Sequence, residues 1–123
     1  MTTPLNLRRA FAAGAVLLLA ATGCVSAPRG HRTSHYQSGA ASYYTQAGGP
    51  VAFPGVRTSN GCAHRTARAG TVLHLRRGSR TATCVVNDRG PYVGGRIVDL
   101  QPHQFSQLGP ISAGVLGGIE VRY

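Results

Sequence analysis

The chain has 123 residues, enough for one small domain, and its 13 cationic side chains are all arginines set against three acidic residues, for a formal net charge of +10. Its 17 glycines and seven prolines favour short strands and turns and argue against a helical bundle. The charge favours an anionic partner, but we predict no nucleic-acid binding because no recognition-helix or aromatic RNA-binding pattern is present.

The first 23 residues have the composition of an export leader. Two arginines precede an apolar stretch over residues 10–21, which is short for a membrane span but suits the core of a secretory signal. Small residues directly before Cys24 resemble the cleavage box of a bacterial lipoprotein. We therefore predict a lipoprotein signal peptide over residues 1–23 and lipidation of Cys24; an ordinary signal peptide cleaved near Ala27 is the alternative.

Such a leader predicts a protein anchored by lipid in the cell envelope. In a host with two membranes we expect the periplasmic face of the outer membrane, and otherwise the outer face of the cytoplasmic membrane. Residues 24–38 are rich in Pro, Gly, Ser, His and Arg and are predicted to be a flexible tether.

Beyond the tether, short apolar runs alternate with turn-forming residues, a pattern typical of an all-β domain over residues 39–123. The predicted strands cover residues 41–44, 71–75, 81–86, 96–100 and 119–122. Residues 46–60 are predicted to be a loop or irregular hairpin. One short helix is predicted with Pro102 in its first turn and Gly109 just beyond its last, and Phe105 and Leu108 are assigned to the core.

With Cys24 assigned to lipidation, Cys62 and Cys84 remain as two thiols in an exported domain. Export compartments usually permit oxidation, so we predict a disulfide between them. It would hold the backbone near His64 in register with the strand that leads to Asp88. The alternative is a metal site of these two cysteines, His64 and Asp88, but it lacks the paired spacing of structural zinc, and we predict no metal and no other cofactor.

The most informative run covers residues 85–100 and contains two of the three acids, Asp88 and Asp99. Asp88 follows an apolar strand and opens an Arg-Gly-Pro turn, so the strand end can fix the direction of its carboxylate towards a cleft. The alternative is a structural turn in which Asp88 caps backbone N–H groups and pairs with Arg89 or Arg96.

This run resembles the signature of the rare lipoprotein A family, and three further stretches match that family in the right order. They are Gly39-Ala40-Ala41-Ser42-Tyr43-Tyr44, then Ala63-His64-Arg65-Thr66 with Gly70-Thr71, then Leu108-Gly109 with the glycines before Ile119. The resemblance covers residues 39–123 and implies a small six-stranded double-psi β-barrel with one or two short helices.

The best-described enzymes of that family are lytic transglycosylases, which cut peptidoglycan glycan strands between N-acetylmuramic acid and N-acetylglucosamine without water. The resemblance implies the same endolytic activity here, with formation of 1,6-anhydromuramyl ends and with glycan strands as the partner of a monomeric protein. It implies Asp88 and His64 as catalytic residues, although His64 could instead be structural and bonded to a backbone carbonyl. Asp99 matches the key aspartate of expansin-like relatives and is the third catalytic candidate. The residues expected to bind the glycan are Tyr43, Tyr44, Arg89, Tyr92 and Arg96.

One departure from the family pattern concerns the loop ahead of the histidine. Active members usually carry a Thr-Ala-Ser/Asn-Gly-Glu segment there, whereas residues 53–60 contain no acid. The alternative function is therefore a non-catalytic peptidoglycan-binding or expansin-like wall-loosening module, and a purely structural envelope lipoprotein is a third.

Overall fold

The computed structural model describes residues 34–45 and 49–123 together with Gly23. The described chain contains the strands β1 (Tyr36–Tyr43), β2 (Gly61–His64), β3 (Val72–Arg77), β4 (Arg80–Asp88), β5 (Arg96–Leu100) and β6 (Leu116–Arg122). Helix α1 (Pro102–Leu108) and a short 3₁₀ turn (Ile111–Ala113) lie between β5 and β6. No helix in these ranges is long and apolar enough to cross a membrane. The predicted leader, apart from Gly23, and the predicted lipidation site Cys24 lie outside the described residues.

The six strands close into one barrel in the order β1-β5-β2-β4-β3-β6. The pairs β1–β5 and β2–β4 are parallel, and the other four pairs are antiparallel. Closure leaves no free sheet edge, which removes the risk of edge-to-edge pairing with other chains. The predicted six-stranded barrel with short helices is confirmed.

One hydrophobic core fills the barrel. In β3, Leu73 and Leu75 are buried while the residues between and beside them are exposed, so alternate side chains point inwards. Helix α1 begins at a proline, as predicted, and places Phe105 and Leu108 in the same core.

The Cys62–Cys84 disulfide lies inside this core. Both cysteines are 0% exposed, and their Cα atoms are 5.8 Å apart. The bond joins β2 to β4, the two strands that carry His64 and Asp88. It also removes both thiols from the alternative metal site, and the described residues contain no cluster of three or more His, Cys, Asp or Glu side chains that could hold a metal ion.

The predicted strands differ from the observed ones in their bounds, most of all at β1, and β2 was not predicted. Strand β1 begins at Tyr36, so the last three residues of the predicted tether (24–38) belong to the barrel, whose predicted start was 39. They are ordered by pairing with β6, and His35 and Tyr123 exchange backbone hydrogen bonds just beyond them. Strand β2 is not predicted by the pattern because all four of its residues are buried and show no alternation.

Candidate functional site

Asp88 and Asp99 lie on the outer surface of the barrel, on either side of β2. Ala63 of β2 is opposite Asp88 of β4 and Asp99 of β5, and Ser42 of β1 is opposite Asp99. Side chains that are opposite each other in a sheet point to the same face, so these four residues form one row across four strands. The two aspartates are two strands apart, which places their Cα atoms roughly 10 Å from each other.

Asp88 reaches this row because β4 changes register just before it. Between Val86 and Asp88, β4 advances by two residues while β2 advances by one. Such an irregularity re-aims the side chain that follows it and is common beside functional sites. Asn87, the extra residue, lies over Gly61, where a Cβ would come within 2.3 Å of the Asn87 side chain. Glycine at position 61 therefore permits the close approach that turns Asp88 outwards.

Three donors hold the carboxylate of Asp88. Its Oδ1 accepts hydrogen bonds from the backbone N–H of Ala52 at 2.9 Å and of Arg89 at 2.8 Å, and its Oδ2 accepts one from the phenol of Tyr44 at 2.9 Å. The carboxylate of Asp88 is the acceptor in all three hydrogen bonds, as an ionised carboxylate must be. Burial, followed by the bond to Asp88, raises the pKa of Tyr44, so the phenol stays protonated and remains the donor.

Asp88 and Tyr44 line an open cleft of about 290 Å³. The other lining residues are Thr45, Gly49, Pro50, Val51 and Gln101. A ligand in this cleft would contact the carboxylate of Asp88 directly.

Asp99 has the opposite environment. Its Oδ1 is buried and has no hydrogen-bond partner among the described residues. Burial raises the pKa of the Asp99 carboxyl, and the charge of Asp88 adds to the rise, whereas Ser42 and Arg96 act against it. A proton on the carboxyl avoids the cost of burying an unpartnered charge. The two carboxyl groups therefore lie in different environments: that of Asp88 accepts three hydrogen bonds, and that of Asp99 is partly buried with one oxygen unpartnered among the described residues.

His64 does not join this row. It follows Ala63 directly, points to the other side of β2 and is 1% exposed. Its Nδ1 accepts hydrogen bonds from the backbone N–H of Thr66 at 3.2 Å and of Ala67 at 2.9 Å, and its Nε2 lies 2.7 Å from Oε1 of Gln37. These partners require the neutral ring with its proton on Nε2.

The pKa of His64 is lowered, first by burial and then by the nearby guanidinium groups of Arg89 and Arg65. Both ring nitrogens are occupied by the protein itself. The partners of His64 are backbone amides and a glutamine, not the backbone carbonyl of the structural alternative, and its predicted catalytic role stays a prediction.

Arg89 and Arg65 are occupied by backbone carbonyl groups. Nη1 of Arg89 donates to the carbonyl oxygens of His64 at 3.0 Å and Ala67 at 2.6 Å, and its guanidinium lies 4.6 Å from the centre of the Phe53 ring. Arg65 donates to the carbonyl oxygens of Pro91, Val93 and Arg96. Arg89 thus joins the histidine segment to the loop beside Asp88, and its predicted contact with glycan stays a prediction.

The remaining residues expected to bind glycan occupy different places. Tyr43 packs its ring 4.7 Å from that of Phe105 and donates its phenol proton to the carbonyl of Ile111. It borders the core and is not among the residues that line the cleft, and its predicted contact with glycan stays a prediction. Tyr92 is 77% exposed in the loop after β4. Arg96 lies close enough to Asp99 to act on its pKa.

Several contributors to the site were not identified from the sequence. Ser42 could have been found, because it alternates with Tyr44 on the outer side of β1. The backbone N–H of Ala52, the side chain of Gln37 and the contacts of Arg65 depend on loop geometry and have no signal in the pattern of residue types.

Residues 36–123 match the family model described as lytic transglycolase. The probable endolytic peptidoglycan transglycosylase RlpA of Synechocystis sp. is 40% identical over 91 residues, covering 64% of this chain and 26% of that protein. The endolytic peptidoglycan transglycosylase RlpA of Campylobacter jejuni is 39% identical over 87 residues, covering 62% of this chain and 30% of that protein. The match thus spans less than a third of the length of either relative.

A solved structure, the Streptomyces papain inhibitor, superposes with a TM-score of 0.53 at 22% sequence identity. The superposition covers 72% of this chain and 93% of the inhibitor. At that identity the likeness concerns the fold alone.

Proposed function

Because the chain belongs to the lytic transglycolase family, with a double-psi β-barrel domain like that of rare lipoprotein A, we propose that it is an endolytic lytic transglycosylase of peptidoglycan. Relatives 39% and 40% identical carry that activity in their names. The observation that carries the proposal is the placement of Asp88 and Asp99 in one outer row, where the carboxylate of Asp88 accepts three hydrogen bonds and burial raises the pKa of Asp99.

In the proposed reaction, Asp99 gives its proton to the glycosidic oxygen that departs with N-acetylglucosamine, and the bond from that oxygen to C1 of the muramic acid breaks. The C6 hydroxyl of the same muramic acid forms the new bond to C1, and its proton passes to the carboxylate of Asp88. No water is consumed, and the product is a 1,6-anhydro ring. Both carboxyl groups return to their starting states by proton exchange with solvent.

The contacts of the two aspartates support this assignment, in which Asp99 is the acid and Asp88 is the base. Both oxygens of Asp88 accept hydrogen bonds, as a base that starts ionised should. Asp99 is partly buried, with one oxygen unpartnered, as an acid that starts protonated should be. The sequence named both aspartates as catalytic candidates without dividing the proton transfers between them, and the partial burial of Asp99 favours Asp99 as the acid.

His64 takes a positioning role in this proposal and does not touch the glycan. It bonds the backbone of residues 66 and 67, and the carbonyl groups of this segment hold Arg89 next to Asp88. Loss of the imidazole would therefore act on Asp88 through Arg89.

The test is product analysis by mass spectrometry after incubation with purified peptide-free glycan strands. Wild-type protein should release fragments with 1,6-anhydromuramyl ends, and Asp88→Asn and Asp99→Asn should each remove them while the circular dichroism of the folded barrel is kept. If Asp99→Asn retains full activity, the assignment of the acid is wrong.

A second candidate function is favoured by one observation. The loop ahead of β2 meets Asp88 through the backbone N–H of Ala52 and supplies no carboxylate. A wild-type protein that binds glycan strands but releases no anhydro product over long incubation would be a non-catalytic wall-binding module.

The proposal includes anchorage through a lipid on Cys24, location in the cell envelope and a monomeric state. Its support is the leader sequence, in which an apolar stretch over residues 10–21 is followed by small residues and a cysteine. A tether of polar residues after Cys24 would let the barrel reach a polymer lying away from the membrane.

A further inference from the structure

A second polar surface lies on the opposite side of the barrel from the two aspartates. In the strand order, β3 and β6 are diametrically opposite β5 and β2. We call this surface the distal face and define it by six outward residues of β3, β6 and the adjoining ends of β1 and β4. They are Tyr36, His74, Arg76, Thr83, Glu120 and Arg122.

Four side chains form a straight row across this face. Thr83, His74, Arg122 and Tyr36 are successive partners in the sheet register, so their side chains share one side over a width of roughly 14 Å. Tyr36 is 55% exposed, and the guanidinium of Arg122 lies 5.6 Å from the centre of its ring. An exposed aromatic ring framed by polar side chains is typical of an interaction site.

The charges of the distal face are not balanced. Arg76 donates two hydrogen bonds to Oε2 of Glu120, at 2.8 and 2.6 Å, and this contact lowers the pKa of Glu120. That pair is neutral as a whole. Arg122 makes no salt bridge within the described residues, but its charge and a hydrogen bond from Tyr36 also lower the pKa of Glu120. Two arginines therefore share one carboxylate, and the face keeps a net positive charge beside an aromatic ring.

The face is also concave. A cleft of about 400 Å³ is lined by side chains of β3, β4 and β6, including those of His74, Thr83 and Arg122. This volume falls within the range of small-ligand sites.

We propose that the distal face binds a second stretch of carboxylate-bearing glycan of the cell wall, an inference that rests on the proposed function for the choice of polymer. Tyr36 and the guanidinium of Arg122 offer a flat surface for a sugar ring. Arg122 supplies the paired donors that suit the lactyl carboxylate of muramic acid, and the hydroxyl of Thr83 and the ring of His74 can bond to sugar hydroxyls.

This binding would be independent of the catalytic cleft. On β4, Thr83 and Asp88 are five residues apart, which corresponds to about 17 Å along the strand. A protein that holds one strand on the distal face while another enters the cleft gains effective concentration in a cross-linked polymer. The expected benefit is retention on intact wall, not faster chemistry on short fragments.

The experiment uses the full chain and tests it on two substrates. Binding to purified insoluble peptidoglycan sacculi is measured by sedimentation in an Asp99→Asn background, so that strands are not cut. Release of anhydro products is measured separately on short, soluble peptide-free glycan fragments without that background change. The variants are Tyr36→Ala and Arg122→Gln, and the matched control is Arg68→Gln, which removes an exposed arginine from the loop between β2 and β3.

Arg122→Gln and Tyr36→Ala should each weaken sacculus binding roughly tenfold, as expected for loss of a charge-assisted contact or a stacked ring, and should leave cleavage of short fragments unchanged. Arg68→Gln should leave both unchanged. Unchanged sacculus binding in the first two variants, or an equal loss in Arg68→Gln, would overturn the proposal.

A further binding measurement, with lipid vesicles, distinguishes glycan from a lipid surface as the ligand. If vesicles of phosphatidylglycerol bind in an Arg122-dependent way and sacculi do not, the occupant is a membrane and the proposal is wrong. Failure of the proposed enzyme activity would appear differently, as no anhydro product from wild type while the difference in sacculus binding persists.

Discussion

The phenol of Tyr44 donates a hydrogen bond to Oδ2 of Asp88 across 2.9 Å, although 44 residues separate the two in the sequence. Tyr44 follows β1 and Asp88 ends β4, and β5 and β2 lie between those strands in the barrel. The tyrosine side chain therefore spans the outer side of β5 and β2, where Asp99 lies. This contact orients the proposed base, and the proposed acid is close enough to raise the pKa of Tyr44.

Removal of this phenol should slow the reaction without unfolding the barrel. Tyr44→Phe keeps the ring but leaves Oδ2 of Asp88 without its donor, and a hydrogen bond to a charged group contributes about 1.5–3 kcal/mol. We expect kcat to fall roughly 10- to 100-fold, measured as release of anhydro products. The matched control is Tyr43→Phe, whose phenol bonds a carbonyl outside the cleft. Equal activity of both variants would show that the contact has no part in the reaction.

The Cys62–Cys84 disulfide should account for a large part of the stability. In the chain-entropy model, a bond between residues 22 apart stabilises the folded state by about 3 kcal/mol. The double variant Cys62→Ala/Cys84→Ala should lose about that much free energy of unfolding in a denaturant titration, and reduction should destabilise wild type but not the variant. Titration of two free thiols in folded wild type would contradict the prediction.

His64 should make stability depend on pH below neutrality. Its folded pKa is lowered from the ordinary value of 6.5, so the unfolded chain takes up a proton first as the pH falls. This contribution to stability is complete above the unfolded pKa and is lost as the pH falls towards the folded pKa, with a slope of at most about 1.4 kcal/mol per pH unit. Denaturant titrations between pH 7 and pH 5 measure the slope.

The control for this prediction is the exposed strand histidine, His74. His74→Gln should keep the pH dependence of wild type, whereas His64→Gln should lose the slope and be less stable at neutral pH because two backbone amides lose their acceptor. Should His64→Gln not fold, an NMR titration of the wild-type ring gives the same information. A His64 pKa at or above 6.5 would refute the prediction.

The sequence predicted the family and the six-stranded double-psi barrel, and both are confirmed, because ordered motifs and short alternating runs are local signals. The helix from Pro102 also agrees, since proline and glycine mark its two ends. Strand β2 was missed because a strand buried on both sides has no period to detect.

The site was predictable only in part. Residue types identified Asp88, Asp99 and Tyr44 as candidates, but not their contacts, because the row depends on strand register and on the extra residue in β4. The sequence could not show that His64 and Arg89 are occupied by backbone groups. Those contacts arise only when the loops around residues 53, 66 and 91 pack together.

Anchorage should depend on Cys24. Expressed in a bacterium with a lipoprotein pathway, the wild-type chain should partition with membranes and have an acylated N-terminal Cys24 by mass spectrometry, because the residues before it resemble a lipoprotein cleavage box. Cys24→Ala should remain uncleaved at that position or be released unanchored, and Cys84→Ala serves as the matched control that keeps the anchor. Recovery of unmodified soluble protein beginning near Pro28 would refute the prediction.

The activity of the enzyme should fall as the pH rises through the raised pKa of Asp99. The proposed acid works only when protonated, and its folded pKa lies above the ordinary 3.8 because burial and Asp88 disfavour its charged form. A plot of kcat/KM against pH on peptide-free strands should therefore have an alkaline limb set by Asp99. Ser42→Ala, which removes a hydrogen bond that lowers this pKa, should shift that limb to higher pH, and Arg96→Gln, which removes a charge that lowers it, should do the same. An alkaline limb in the same place for both variants and wild type would mean that Asp99 is not the group that gives the proton, and the transfer would return to Asp88.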